Sequence, residues 1–158
     1  MSAASASTNW PAISAVVLAG IASAAGIGKV PATMTTIGEE FGLSLPGAAL
    51  LVGLFALLAA VGGLAIGLAG SRIGARRGLL RGLTVAFAAA CAATFAPAAL
   101  PLYLARIIEG AGFMLVAVSA PSLVATLAAD RDRPAAMGLW GCFMPGGIAL
   151  GLLSAPLV

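Results

Sequence analysis

Arg106 and Glu109 are the charged residues that interrupt an otherwise apolar stretch, residues 100–129. They are three positions apart, so on a helix they share one face. A charge pair at membrane depth normally faces a cavity or the interior of a bundle, because an unpaired charge in hydrocarbon is costly. Such a pair suits the binding of a charged solute or the transfer of protons. We predict that Arg106, Glu109 and Lys29 belong to a substrate or proton pathway.

The depth of this pair depends on where its helix begins. A helix that starts near Pro101 places Arg106 about 7–8 Å along its axis, with Glu109 about one turn deeper. A helix that starts at Gly110 leaves the two residues as a surface pair of little worth. Prolines at 97 and 101 favour the earlier start, because they end the preceding segment there.

Catalytic, metal and cofactor chemistry is not indicated elsewhere in the sequence. There is no histidine, and the two cysteines, Cys91 and Cys142, lie in apolar stretches, where they are expected as small buried hydrophobes. The Gly-Lys pair at Lys29 fails as a phosphate loop, because Val30 stands where Ser or Thr is needed and Ser23 where glycine is needed. We therefore expect no metal, no cofactor and no enzymatic activity.

The composition indicates a membrane protein. Hydrophobic residues make up 61% of the 158 residues, charged residues make up 8%, and the mean hydropathy is +1.13. A soluble domain carries roughly a quarter charged residues, so a lipid bilayer is the expected surroundings. The basic residues are embedded in apolar sequence, which argues against nucleic-acid binding.

Five apolar segments separated by polar or proline-bearing turns predict an all-α bundle of about five transmembrane helices. A short N-terminus of residues 1–9 precedes a transmembrane bundle of residues 10–158. The predicted helices span residues 10–30, 46–70, 79–96, 101–128 and 134–157. Lys29, near the predicted end of the first helix, can extend to the membrane surface.

The charged turns set the predicted orientation. Arginines cluster at about 71–78 and again in 130–134, two turns that lie on the same side if each segment spans once. The positive-inside rule makes that side, and with it the N-terminus, cytoplasmic. We expect a multi-pass protein of the bacterial inner (plasma) membrane. The apolar end at Val158 leads us to expect a fragment of a larger protein.

Glycine and proline spacings predict packing and bending. Gly63, Gly67, Gly70 and Gly74 fall on one helix face, where another backbone can approach closely, although general glycine richness explains them as well. The pair Gly147 and Gly151 has the small-xxx-small spacing of close helix packing. Pro145 predicts a kink.

The sequence Gly67-Leu-Ala-Gly70-Ser71-Arg72-Ile-Gly74-Ala-Arg76-Arg-Gly-Leu79 resembles a loop signature of the major facilitator superfamily. That signature, Gly-x-Leu-Ala-Asp-Arg-x-Gly-Arg-Lys/Arg-x-x-Leu, joins the second and third helices. Gly67, Arg72, Gly74, Arg76 and Leu79 match it. The resemblance implies a role in conformational gating for Gly67, Ser71, Arg72, Gly74 and Arg76. Ser71 replaces the Asp that latches the two halves in the family, so this chain lacks that charge.

Two further stretches carry the resemblance. Arg106-Ile-Ile-Glu109-Gly110-Ala-Gly112 is similar to the fourth-helix motif Arg-x-x-Gln/Glu-Gly-x-Gly, which implies an intramembrane Arg106 and a packing role for Gly110. The stretch 137–156, with Pro145, Gly147 and Gly151, is similar to the Gly/Pro-rich fifth helix. It also resembles permeases of the cyanate and nitrate/nitrite type.

The resemblance implies the N-terminal part of a secondary transporter of about twelve helices in two halves, with the solute bound between them. We therefore predict alternating-access transport of a small solute, with Lys29 and Arg106 favouring an anionic or polar one. Drug/proton efflux is an alternative, as is a truncated, non-transporting membrane protein or assembly partner. The predicted partners are the lipid bilayer, the solute, protons, and the missing C-terminal half or a second chain, with no nucleic acid.

Overall fold

Apolar sequence in a bilayer folds into helices because the backbone must satisfy its own hydrogen bonds there. The computed structural model describes residues 7–154, without the side chains of residues 69 and 71. All regular structure in this part of the chain is helical. The helices are α1 (Trp10–Glu40), α2 (Leu45–Ile73), α3 (Ala75–Thr94), α4 (Ala99–Leu127), α5 (Arg133–Gly141) and α6 (Phe143–Ser154).

Successive passes run in opposite directions, with α5 and α6 together forming the fifth pass. Gly82 lies against Gly112 and Gly78 against Ser119, so α3 and α4 are antiparallel. The predicted all-α membrane bundle is confirmed. Four passes are long and apolar enough to span a membrane: Trp10–Glu40, Leu45–Leu68, Ala99–Leu127 and Arg133–Ser154. The pass α3 is not among them, and its first two turns carry three arginines.

The first helix is longer than the sequence predicts. It ends at Glu40 instead of near residue 30, so the expected polar loop shrinks to residues 41–44. Pro31 removes one helical hydrogen bond, and the Thr33 hydroxyl donates to the carbonyl of Lys29 at 3.0 Å beside it. The carbonyl that Pro31 leaves without its helical donor is that of Ile27, four residues earlier, and membrane helices tolerate such a proline. Lys29 consequently lies well inside α1 and not at its end.

The arginine-rich turn is also shorter than predicted. The expected loop at 71–78 reduces to Gly74, which ends α2 and begins α3. Gly74 has φ +88°, a conformation that side-chain-bearing residues rarely adopt. Its N–H donates to the carbonyl of Gly70 at 3.3 Å, and its carbonyl accepts from Gly78 at 2.8 Å. One residue therefore reverses the chain between the two helices.

The fourth helix begins at Ala99, which excludes the alternative start at Gly110. The fifth pass is interrupted at Cys142, where α5 ends and α6 begins. Pro145 explains the break, because it cannot donate a hydrogen bond to the carbonyl of Gly141 and its ring crowds that carbonyl. The last residues of the predicted fifth helix, 155–157, lie outside the described residues, as do residues 1–6 of the N-terminal segment.

Two seams of small residues hold the bundle together. Along α1 and α6, Gly147 lies against Ala24 and Gly151 lies against Gly28 and the carbonyl of Ala25. Between α3 and α4, a β-carbon at Gly112 would lie 2.6 Å from the backbone nitrogen of Ala86. Backbones can approach this closely only where no side chain intervenes.

The predicted glycine stripe on α2 packs only in part, which corrects the interpretation of Gly63. A β-carbon at Gly63 or Gly67 would meet nothing within 4 Å, whereas one at Gly70 would lie 3.3 Å from Leu115 of α4. The middle of α2 therefore presents its apolar side chains outward, with Val61 and Leu64 each 77% exposed. Such a surface suits lipid or a further membrane segment.

Aromatic side chains fill the centre of the bundle. Phe113 of α4 is 1% exposed and contacts Phe55 of α2 edge to face, with ring centroids 4.9 Å apart. On its other side lies Phe143 of α6, which stacks on Trp140 at 4.0 Å. These rings join three passes and fix α4 in the middle of the bundle, which is the helix that carries the charge pair.

Candidate functional site

The charge pair of α4 lies inside the bundle. Arg106 is 8% exposed and Glu109 is 7% exposed. The Nη1 group of Arg106 donates to Oε2 of Glu109 at 2.5 Å, across one turn of the same helix. A paired arginine and carboxylate avoid much of the cost that either charge alone would meet in this environment.

Gly26 of α1 contacts both members of this charge pair. Its carbonyl oxygen accepts a hydrogen bond from Nη2 of Arg106 at 3.4 Å. A β-carbon at position 26 would lie 2.5 Å from Oε1 of Glu109, so the missing side chain leaves room for the carboxylate. Gly26 cannot be identified from the sequence, because the register of α1 against α4 is a tertiary property that the spacing of residues within either helix does not encode.

Two buried polar groups beside the pair have no hydrogen-bond partner among the described residues. They are Nε of Arg106 and the hydroxyl oxygen of Ser23 on α1. Buried polar atoms are normally hydrogen-bonded, and each exception asks for an explanation. Both residues line the same cavity, although these two atoms are not themselves accessible from it in this conformation.

This cavity has a volume of about 1090 Å³ and lies mainly between α1, α3 and α4. Leu51 of α2, Leu152 of α6, and Phe41 and Ala96 of the connections complete its lining. Its residues come from the second half of α1, the second half of α3 and the first half of α4. Because the passes alternate in direction, these halves meet at one end of the bundle, the end of the α1–α2 and α3–α4 connections.

One wall of the cavity is a polar track along α1. It starts at the buried pair and ends at the last residue of the helix. The spacings of three and four place all of its members on one helical face. The track consists of Ser23, Gly26, Lys29, Thr33, Thr36 and Glu40. The sequence contained this signal, but the segment after Pro31 was predicted to be a loop, for which helical spacing has no meaning.

The facing wall on α3 is apolar. The spacings of three and four again select one helical face. Its members toward the middle of the bundle are Leu83, Ala86, Phe87, Ala90 and Cys91. The cavity therefore has a polar side and an apolar side, which is the arrangement that small-molecule sites use to fix the orientation of a ligand.

Lys29 stands between the buried pair and the mouth of this cavity. It is three residues beyond Gly26, which places it about 4.5 Å further along the axis of α1. Its side chain is exposed and makes no ion pair with any described residue. The structure thus brings Lys29, Arg106 and Glu109 to one cavity, and their role in a solute or proton pathway stays a prediction.

The opposite end of the bundle is tied together by hydrogen bonds. The backbone N–H of Asn9 donates to the carbonyl of Leu127 at 3.0 Å. The Thr8 hydroxyl donates to Oδ2 of Asp132 at 2.5 Å and accepts from the N–H of Ala129 at 3.0 Å. The start of α1 is therefore attached to the α4–α5 connection, away from the cavity mouth.

The residues of the loop signature lie at this tied end. Arg72 and Arg76 are exposed and form no ion pair with any described residue. The backbone of Ser71 belongs to α2, but its side chain lies outside the description. The structure does not bring this loop to the cavity, so the two groups of predicted site residues are separate.

Comparison with known proteins assigns the family. A profile of the Major Facilitator Superfamily matches residues 7–158. The chain belongs to the Major Facilitator Superfamily. No curated protein and no solved structure matched the chain. As a member of this superfamily it is a transporter, and its apolar helices make it a multi-pass membrane protein.

The residues that the sequence predicts for helix packing and bending lie in different parts of the bundle of this superfamily member. A β-carbon at Gly110 would lie 2.8 Å from Leu58, so Gly110 lies in the contact between α4 and α2. Gly147 and Gly151 line the α1–α6 seam, and Pro145 lies at the break that precedes it. The α1–α6 seam supports the inner half of the polar track, because Gly28 is adjacent to Lys29.

Proposed function

We propose that this transporter moves a small polar or anionic solute across the membrane by alternating access, with the cavity as its share of the pathway. The observation that carries the proposal is the buried Arg106–Glu109 pair, held against Gly26 at the inner end of the cavity. Charged groups at membrane depth are expensive and usually mark an ion or substrate pathway. The superfamily is a family of transporters and not of enzymes, which agrees with the lack of a catalytic set in the sequence.

The geometry offers a way to couple binding to motion. Arg106 divides its donors between Glu109 on its own helix and the Gly26 carbonyl on α1. A solute that accepts from the guanidinium competes with the long bond to Gly26, so it changes how firmly α4 is held to α1. A ligand shifts a conformational equilibrium by the difference between its affinities for the two states. Protons are the coupling ion that Glu109 favours, because a carboxylate can carry one.

The pathway needs a second wall. In the superfamily the solute binds between two halves of six helices each, and the described bundle corresponds to five passes of one half. We propose that the remaining half, or a second chain, covers the open side of the cavity. The positive-inside rule puts Arg72, Arg76 and the start of α1 in the cytoplasm of a bacterium, so the cavity opens to the outside of the inner membrane.

Drug/proton efflux remains the second candidate, and the apolar wall on α3 is the observation that favours it. Phe87 and Leu83 offer contacts to an apolar substrate that the polar track does not. The finer resemblance of residues 137–156 to cyanate and nitrate permeases stays a prediction.

Counterflow in proteoliposomes tests the proposal. Proteoliposomes that contain the native protein are loaded in turn with small anions, polar neutral solutes or apolar dyes. Uptake of the labelled form of each solute, in exchange for the unlabelled form inside, is then measured. We expect exchange of an anion or a polar solute, and loss of it in Arg106→Gln, because the buried Glu109 then lacks its partner. Breaking such a pair costs about 3–5 kcal/mol.

The matched controls are Arg106→Lys and Arg81→Gln. The first keeps a positive charge and should retain part of the exchange. Arg81 is an exposed arginine outside the cavity, so its replacement should leave exchange unchanged. Full exchange in Arg106→Gln would exclude the proposed pathway, and exchange of apolar dyes alone would favour efflux.

A further inference from the structure

We propose that the solute is an amphipathic organic monoanion, with its acidic group bound by the Lys29 ammonium and its apolar body against the α3 wall. This inference rests on the proposed function and narrows its substrate class. It is carried by two observations: the charge balance along the polar track, and the contrast between the two facing walls of the cavity.

The charge balance selects a single negative charge. Arg106 and Glu109 neutralise each other at the inner end of the cavity. Lys29, the only lysine of the sequence, therefore leaves one net positive charge in this region. Glu40 also lines the cavity, but it is eleven residues further along α1, about 16 Å away at the mouth. A dianion would carry one charge without a partner among the residues of this region, so a monoanion matches the charge balance better.

The contrast between the polar wall on α1 and the apolar wall on α3 favours a solute with an apolar part. Opposite Lys29 and Thr33, the α3 wall offers Leu83, Phe87 and Ala90. A fully polar anion such as an inorganic ion would leave this wall without a contact, whereas a hydrocarbon or aromatic group would cover it. The acidic group then lies within the polar track, where the unpartnered groups of Ser23 and Arg106 are one to two turns deeper.

Cys91 provides a readout of binding that does not depend on transport. Both cysteines are exposed and not buried as the sequence predicts. Cys91 lies on the α3 wall of the cavity, whereas Cys142 lies at the α5–α6 break and does not line the cavity. In a full-length protein whose only cysteine is Cys91, the rate of alkylation by a maleimide reports access to the cavity. A Cys142-only protein is the matched control.

Benzoate, benzamide and terephthalate are the probes, because they share a ring and differ in charge. We expect benzoate to slow alkylation of Cys91 by about 1 + [L]/Kd, roughly elevenfold at ten times its Kd. Benzamide and terephthalate should protect much less. Protection by benzoate should be lost in Lys29→Gln, kept in part in Lys29→Arg, and unchanged in Arg81→Gln. Alkylation of Cys142 should not respond to any probe.

Equal protection by benzamide, persistence of protection in Lys29→Gln, or no protection by benzoate would each overturn the inference. Counterflow on the same preparation separates it from the proposed function. Protection without exchange would leave the inference standing and refute transport by this protein. Exchange of a neutral solute without protection by benzoate would refute the inference and leave the proposed transport standing.

Discussion

The carboxylate of Glu109 occupies the space in which any residue other than glycine at position 26 would place its β-carbon. The separation between Oε1 and that position is 2.5 Å. The carbonyl of the same glycine accepts from Arg106. Position 26 therefore meets both members of the charge pair, one through its carbonyl and the other through its lack of a side chain.

Gly26→Ala should impair transport more than folding. The added methyl group meets the end of a flexible side chain and not a backbone, so the carboxylate can move aside at a modest cost. The displaced Glu109 loses alignment with Arg106, and we expect the exchange rate to fall by about tenfold, equivalent to about 1.4 kcal/mol. The measurement is counterflow in proteoliposomes, normalised to the amount of folded protein.

Gly53→Ala is the control for this prediction. A β-carbon at Gly53 meets nothing within 4 Å, so the same chemical change occurs on α2 without a steric consequence. Both variants should be produced in similar amounts. An exchange rate in Gly26→Ala equal to that in Gly53→Ala would show that the close approach of Gly26 and Glu109 has no functional role.

The sequence predicts the Arg106–Glu109 pair but not the residues that surround it. Arg106 and Glu109 could be assigned to one face because the spacing of residues within a helix fixes their relative direction. Gly26 could not be found, because its role depends on which turn of α1 lies beside which turn of α4. That register is set by packing at other places, such as the buried core that Val16 and Val17 of α1 share with Val124 of α4.

Gly74→Ala should destabilise the turn between α2 and α3. Gly74 has φ +88° and ψ 144°, a backbone conformation that is open almost only to glycine, and an L-residue there costs about 1–3 kcal/mol. The variant should therefore unfold at a lower temperature than the native protein in detergent micelles. Thermal unfolding followed by intrinsic fluorescence measures the shift.

Gly63→Ala separates this backbone effect from a general loss of glycine. Gly63 lies within α2 with open space where its β-carbon would be, and alanine favours the helix by about 0.5–1 kcal/mol. We expect an unchanged or slightly higher midpoint. Equal midpoints for Gly74→Ala and Gly63→Ala would mean that the turn adapts to a side chain.

The connections were the least predictable part of the fold. Proline and acidic residues after Val30 indicated a loop, yet α1 continues through Pro31, because Val30 and Ile37 pack with Leu51 and Leu102 in a second apolar cluster. The arginines after Ile73 likewise indicated a loop, but charged residues at a helix end can remain helical while their side chains reach the membrane surface. In both connections the charged residues indicate that the chain is near a membrane surface, whereas tertiary contacts determine at which residue each helix ends.

Thr8→Val should loosen the tied end of the bundle. The Thr8 hydroxyl donates to Asp132 and accepts from the N–H of Ala129, and valine keeps the shape while removing both hydrogen bonds. Losing them should cost about 1–3 kcal/mol, because one involves a charged acceptor and the other leaves a backbone donor unpaired. We expect a lower thermal midpoint and faster proteolysis near residue 8. Thr8→Ser keeps the hydroxyl and should behave as the native protein.

A double-mutant cycle with Asp132→Asn tests whether the effect belongs to this contact. If Thr8 acts through Asp132, the double variant should be less destabilised than the sum of the two single variants. Strict additivity would assign the loss to the Ala129 contact alone. The hydrogen bonds of Thr8 join α1 to the α4–α5 connection, so weakening them should increase the freedom of α1 at the end opposite the cavity. The Gly26–Arg106 contact between α1 and α4 should then be weaker, and we expect slower exchange of the solute. Normal exchange in a destabilised Thr8→Val protein would limit the tie to a structural role.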